Sequence, residues 1–221
     1  MIRFQAKYLR PLSQFKAKLD IRWYLNAILA EPHPQGGAML VATNGHMLMA
    51  IHDAQAVCSQ SVLFDPDNGA ISAAGKRIRL GTRWVDVNPY TGRLVVRERM
   101  QTKGGPAERE IYAQAGSAIL PSAEKFPIWR KVIPDFSKLK HGPMDVIQGN
   151  YLRKIMDAHP LDSRGGRAVN LWQADEHGPV IVQFSGASEM IAVLMPMRDE
   201  MPAPAQFWGS AFLEPAMKEA A

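Results

Sequence analysis

The sequence predicts an α+β fold, rich in strands and poor in helices. Three observations predict it. A pattern of short strand, helix and then several strands runs three times through residues 1–198. Asn44-Gly45, between the apolar runs "GAMLVAT" and "HMLMAIHDA", is a hairpin signal, because a tight turn needs positive φ and Asn-Gly accepts it. Helical spacing is confined to a few short stretches.

The first unit spans residues 1–57. "IRF" reads as a strand, "KYLRPLSQFKAK" as a helix, and "RWYLNAILA", "GAMLVAT" and "HMLMAIHDA" as strands. Pro11 fits the helix only if it starts near Tyr8, where the first N–H groups have no partner in any case. At 100° per residue Lys7, Arg10, Gln14 and Lys18 share one stripe, and Tyr8, Leu12, Phe15 and Leu19 take the opposite side. The second unit spans 58–134. It has a strand at "SVLFD", a weak helix at "GAISAAGKR", and strands at "RWVDVNP", "GRLVVRERM" and "REIYAQAG", with a turn at Asn88–Gly92 and a polar loop over Gln101–Glu108. The third spans 142–198, with a strand at "MDVIQ" and a helix at "NYLRKIMDAH" capped by Asn150 and stopped by Pro160. Strands follow at "RAVNLWQA", "GPVIVQFS" and "EMIAVLMPM". Leu152, Ile155, Met156 and His159 form the apolar side of that helix. Residues 199–221 fall outside the pattern.

The 221 residues carry a formal net charge of +5, which permits a polyanionic partner without requiring one. The single cysteine, Cys58, rules out an internal disulfide and a cysteine-based zinc site. The longest apolar run, Ile191–Met197, contains a proline, so no membrane span is expected. The polar, basic opening Met1–Gln5 reads without a signal peptide, and a reducing cytoplasm is the expected location. The histidines lack metalloprotease spacing, no G-x-S-x-G elbow occurs, and Gly75-Lys76 lacks the rest of a phosphate loop. Asp65 and Asp67 begin a calcium-loop pattern that breaks off without its glutamate. No catalytic residue, metal or cofactor is assigned, and a binding role is the default. His46, after the Asn-Gly turn, stays open at this point as a catalyst, a metal ligand or the rim of a binding surface.

Three segments carry a resemblance. "DIRWYLNAILA" with "LVATNGHMLMA" is similar to the middle domain of the bacterial beta sliding clamp family, the processivity subunit of DNA polymerase III. "KFPIWRKVIP" resembles the family's connector between its middle and last domains, and "EMIAVLMPMR" its C-terminal strand; all three stand in the family's order. The resemblance implies a DNA clamp fold of about three units. Residues 1–134 would form a two-unit domain like the family's middle domain, 135–200 one unit like the second half of its last domain, and 201–221 a tail. It further implies a DNA polymerase accessory subunit, not an enzyme. Such a subunit encircles duplex DNA without sequence preference as a homo-oligomeric ring and takes peptides of polymerases and clamp loaders in an apolar groove.

Carried over by motif, the groove is Leu25, Thr43, Gly45, His46, Leu48, Pro127, Val132, Val193, Leu194, Met195, Pro196, Met197 and Arg198. The DNA-facing residues are Lys7, Arg10, Lys18, Arg22, Trp23, Tyr24, Lys76, Arg77, Arg153 and Lys154, with Arg164 and Arg167 in a further basic loop. The chain departs from the family in lacking its first domain. A ring of twelve units would take four copies. Asn44 and Met47 stand where the family usually has Asp and Arg. The family ends after "MPMR", whereas this chain continues through Gln206, Phe207, Trp208, Phe212 and Leu213, loosely like a groove-binding peptide or else a packed helix. Two rival readings are a peptide-binding regulator or decoy of clamp-binding proteins that closes no ring, and an enzyme with a scattered site around His46 or His52.

Overall fold

The computed structural model describes residues 1–75, 81–114, 118–120, 125–139, 145–159 and 168–197. The first unit is β1 (Ile2–Gln5), α1 (Leu9–Phe15), β2 (Ile28–Pro32), β3 (Ala38–Thr43) and β4 (Met47–Asp53). The second is β5 (Val62–Phe64), α2 (Asn68–Gly75), β6 (Gly81–Val87), β7 (Leu94–Thr102) and β8 (Gly105–Ala113), followed by the short β9 (Ile119–Leu120). The third is α3 (Gly149–Ala158), β10 (Val169–Gln173), β11 (Val180–Phe184) and β12 (Ala187–Leu194).

Two sheets result. One has the order β1-β6-β7-β8, and the other runs β10-β11-β12-β4-β3-β2-β5-β9. Every neighbouring pair of strands is antiparallel. The first two units exchange their leading strands: β1 joins β6, and β5 joins β2. The long sheet then continues across β4 into the third unit through the pairing of Met190 with Ile51 and Leu194 with Met47.

Alternation along the strands divides the core in two. Ile28, Leu40, Met49, Ile51, Val182 and Leu194 face a large inner cluster shared with all three helices. Leu29, Val41, Leu48, Ala50, Ile181 and Val193 face an outer cluster shared with Phe126 and Trp129 of the connector. α1 lies between α2 and α3, packing on both.

Local expectations are corrected at five places. Trp23–Asn26 is a 3-10 turn rather than the start of a strand. Asn26 clasps Asp20, accepting from its N–H at 2.9 Å and donating to its carbonyl at 2.8 Å, which closes the chain into a loop. Gln101–Glu108 is a tight hairpin between β7 and β8. Its polar strands are held by opposite charges in register, Arg97 with Glu110, Glu98 with Arg109 and Arg99 with Glu108. Residues 145–148 of the "MDVIQ" segment form no strand, since no described strand lies beside them. Helix α3 begins at Gly149 after Gln148, so Asn150 is not its cap, and Leu152 and Met156 are each 37% exposed rather than buried. Helix α1 ends at Phe15, which leaves Lys18 off its stripe and Leu19 99% exposed with φ of 58°. Pro160 lies outside the described residues.

Candidate functional site

The β3–β4 turn is built by its own side chains. Thr43 pairs with Leu48, and Asn44 N–H reaches the Met47 carbonyl at 3.3 Å, so the central pair is Gly45-His46 rather than Asn44-Gly45. Gly45 has φ of 91°, the positive value that a type II′ turn needs at its first central position. Asn44 Oδ1 accepts from the N–H groups of His46 and Met47, each at 3.0 Å. The Thr43 hydroxyl donates to the Met47 carbonyl at 2.8 Å and accepts from Gly45 N–H at 3.1 Å. Thr43 is therefore a buried brace, and its turn presents His46 to solvent.

Three other segments converge on this turn. Beyond β12, Met195 N–H donates to the His46 carbonyl at 2.9 Å. From α3, the Tyr151 ring lies nearly parallel to the His46 ring, with centroids 6.4 Å apart and 19° between planes. From the Asp20–Asn26 loop, the Arg22 guanidinium comes within 3.4 Å of the point where a side chain on Gly45 would begin. Arg22 pairs with Asp20 at 2.9 Å. Its hydrogen bonds hold the Asp20 carboxyl below the usual carboxylate range.

Beneath the turn the surface is apolar. Leu48 and Val193 sit opposite each other in register and belong to the outer cluster, under Phe126 and Trp129. Leu25 is buried as well. Met195 and Met197 are each 39% exposed, Val132 is 37% exposed, Pro127 is exposed and Pro196 half-buried. Leu194 is corrected: it is fully buried in the inner cluster, because consecutive strand residues face opposite ways. Arg198 lies outside the described residues. Tyr151, Phe126 and Trp129 were not singled out by sequence. Trp129 stands within the quoted connector motif, whereas only packing brings Tyr151 to His46.

The helix layer is a separate surface on the other face of the long sheet. Lys7, Arg10 and Arg153 are exposed there and Lys154 is half-exposed. Lys7 is 3.7 Å from Glu189, and Lys154 lies over the Tyr151 ring at 5.9 Å. Arg10 runs along the end of α2, its Cδ 3.7 Å from where a side chain on Gly75 would begin. Four of the residues expected to face DNA lie off the helices. Lys18 is exposed but beyond the helix. Trp23 and Tyr24 pack against the outer cluster, on the face away from the helices, so with Arg22 they adjoin the turn instead of the helix layer. Lys76, Arg77, Arg164 and Arg167 lie outside the described residues. Among the described residues, no cluster of three or more His, Cys, Asp or Glu could hold a metal ion, and no helix is long and apolar enough to cross a membrane.

Comparison with protein-family models and with curated proteins gives no match. Comparison with solved structures does. A DNA polymerase sliding clamp from Pseudomonas aeruginosa, solved with a ligand, superposes with a TM-score of 0.59 at 18% identity, over 89% of this chain and 65% of that one. The beta subunit of DNA polymerase III from Thermotoga maritima gives 0.56 at 12% identity, over 90% and 65%.

The chain has the sliding-clamp fold.

A clamp from Bartonella birtlesii, solved bound to griselimycin, matches similarly, with a TM-score of 0.58 at 16% identity over 89% and 65%. The chain thus spans just under two thirds of the length of these solved clamps. Within this clamp fold the outer cluster under the β3–β4 turn and the basic helix layer lie on opposite faces of one continuous sheet.

Proposed function

We propose that this chain is a reduced sliding clamp: a cytoplasmic, non-enzymatic accessory subunit that assembles as a homo-oligomeric ring around duplex DNA and tethers a polymerase by a peptide bound at the β3–β4 turn. The observation that carries the reading is the meeting of four segments at that turn, with Met195 bonded to His46 and methionines exposed beside it. An apolar floor with a few fixed polar groups suits a short peptide, and methionine adapts to more than one. Arg10, Arg153 and Lys154 on the helix layer suit phosphate contacts that depend on charge and not on base sequence. The ring does no chemistry. It raises processivity by keeping the polymerase at high effective concentration on its template.

The test is retention on nicked circular DNA against the same DNA made linear. A closed clamp stays on the circle and runs off the ends of the line. Equal retention on both, or none on either, removes the clamp reading. If a labelled peptide with glutamine before large apolar residues still binds, the chain is instead a peptide-binding regulator.

A further inference from the structure

The third unit holds both halves of a pairing that the first two units complete. In those units the strand ahead of each helix is lent to the other unit: β1, ahead of α1, lies beside β6, and β5, ahead of α2, lies beside β2. Each lent strand also bonds, on its other edge, to the segment that follows its own unit's last strand. Arg3 and Val57 exchange hydrogen bonds of 2.8 Å, and Asp65 N–H donates to the Ala118 carbonyl at 2.8 Å.

Residues 145–148, ahead of α3, hold the same position. Met197, just past β12, donates its N–H to the Val146 carbonyl at 2.8 Å, and Ile147 packs on the inner cluster. Among the described residues no strand lies on the opposite edge of this segment. The acceptor equivalent to β2 and β6 is β10, which ends the long sheet among the described residues. Ala168 accepts from Ser185 N–H, so by antiparallel alternation the backbone groups of Val169, Leu171 and Gln173 face away from β11. Helix α3 is incomplete in the same sense. It packs on α1, while Leu152 and Met156, one turn apart, remain 37% exposed. The missing partner unit would fall between the connector and Asp145, where residues 140–144 are too few to form one.

We propose that the third unit pairs with the third unit of a second copy. Residues 145–148 of each chain lie antiparallel to β10 of the other, and the two α3 helices meet through Leu152 and Met156. The contact is isologous, repeating between chains the exchange that joins the first two units within one chain. Two chains then make three complete two-unit bodies. The inference rests on the fold and on the internal repeat, not on DNA or peptide binding.

The experiment is the solution mass of the full chain by light scattering across a concentration series. The expected result is an even-numbered oligomer, with the dimer as its smallest stable form. Leu171→Pro removes an outward N–H from β10 and spares the bonds to β11. Met156→Lys places a charge in the helix contact at an exposed position that the monomer's fold does not need. Each should weaken dimerisation by about tenfold or more, with the circular dichroism of Met156→Lys unchanged. A monomeric parent chain overturns the proposal, and so does a parent dimer whose mass Met156→Lys leaves intact. The outcomes separate from the clamp reading. A dimer that ignores circular DNA leaves the pairing standing, whereas a DNA-retaining oligomer indifferent to both variants leaves only the clamp.

Discussion

Gly45→Ala is the sharpest probe of the turn, and Gly36→Ala is its control. Both glycines have nearly the same positive φ, 91° and 92°. A side chain at Gly36 meets nothing within 4 Å, whereas one at Gly45 meets only the Arg22 guanidinium, at 3.4 Å or beyond. Neither substitution therefore clashes with backbone, and each carries the left-handed strain of an L-residue, about 1–2 kcal/mol. For a chain of this size each kcal/mol lowers Tm by about 2–4 °C. The two variants should thus melt at similar, slightly reduced temperatures. They should differ in binding. At Gly45 the new methyl occupies the space beside Arg22 at the candidate groove. Affinity for the labelled peptide with glutamine before large apolar residues should fall about three- to tenfold, or 0.7–1.4 kcal/mol. Gly36→Ala should bind as the parent does. Anisotropy titration reads the affinity and calorimetry the stability. Equal loss of affinity in both variants, or no loss in Gly45→Ala, would falsify the placement of the groove at this turn.

Three further outcomes follow from the geometry. Trp129, 7% exposed on the outer cluster, anchors the connector; Trp129→Ala should cost about 3–5 kcal/mol in calorimetry and expose residues 125–139 to protease, while equal protease resistance would show that the anchor lies elsewhere. Arg10→Glu with Arg153→Glu alters two exposed positions of the helix layer; stability should change by less than about 0.5 kcal/mol, while the slope of log affinity for DNA against log salt falls by about two, and an unchanged slope would exclude these contacts. The Asp20 carboxyl is held low by its hydrogen bonds to Arg22, so the order it lends the Asp20–Asn26 loop is full above the ordinary carboxylate range and is lost only as pH falls through the lowered value. Amide exchange of Arg22 should therefore quicken only as pH falls below the ordinary carboxylate range, and Asp20→Asn should abolish that dependence.

What the sequence discloses depends on where the stabilising interaction lies. β3 and β4 announce themselves because both their faces are buried, giving near-continuous apolar runs around a turn. The hairpin end of β7 and β8, Gln101–Thr102 and Gly105–Glu108, does not, because it is polar on both strands and its pairing has meaning only beside the partner strand. The Trp23–Asn26 stretch looks like a strand by composition, yet a side-chain clasp six residues long decides it. Within the site, the hairpin, its histidine and the methionines after β12 were legible as motifs. That Leu194 faces inward follows from simple parity beside Val193, which the motif transfer overrode. Tyr151 belonged to a helix read for its charges, and its stacking on His46 arises from how the third unit docks on the first.

The seam between β4 and β12 has a consequence for how the molecule is made. Met190 pairs with Ile51, which belongs to the first unit and lies far earlier in the chain. As the polypeptide leaves the ribosome, the first hairpin can form early, but the free side of β4 must wait until the second unit and β12 have been synthesised. During that wait it is an unpaired apolar edge, a template for any neighbouring strand. Contacts so distant in sequence also slow folding, because long loops must close before they form. Refolding yield should therefore fall steeply with protein concentration, and the arrival of β12 is what ends the risk.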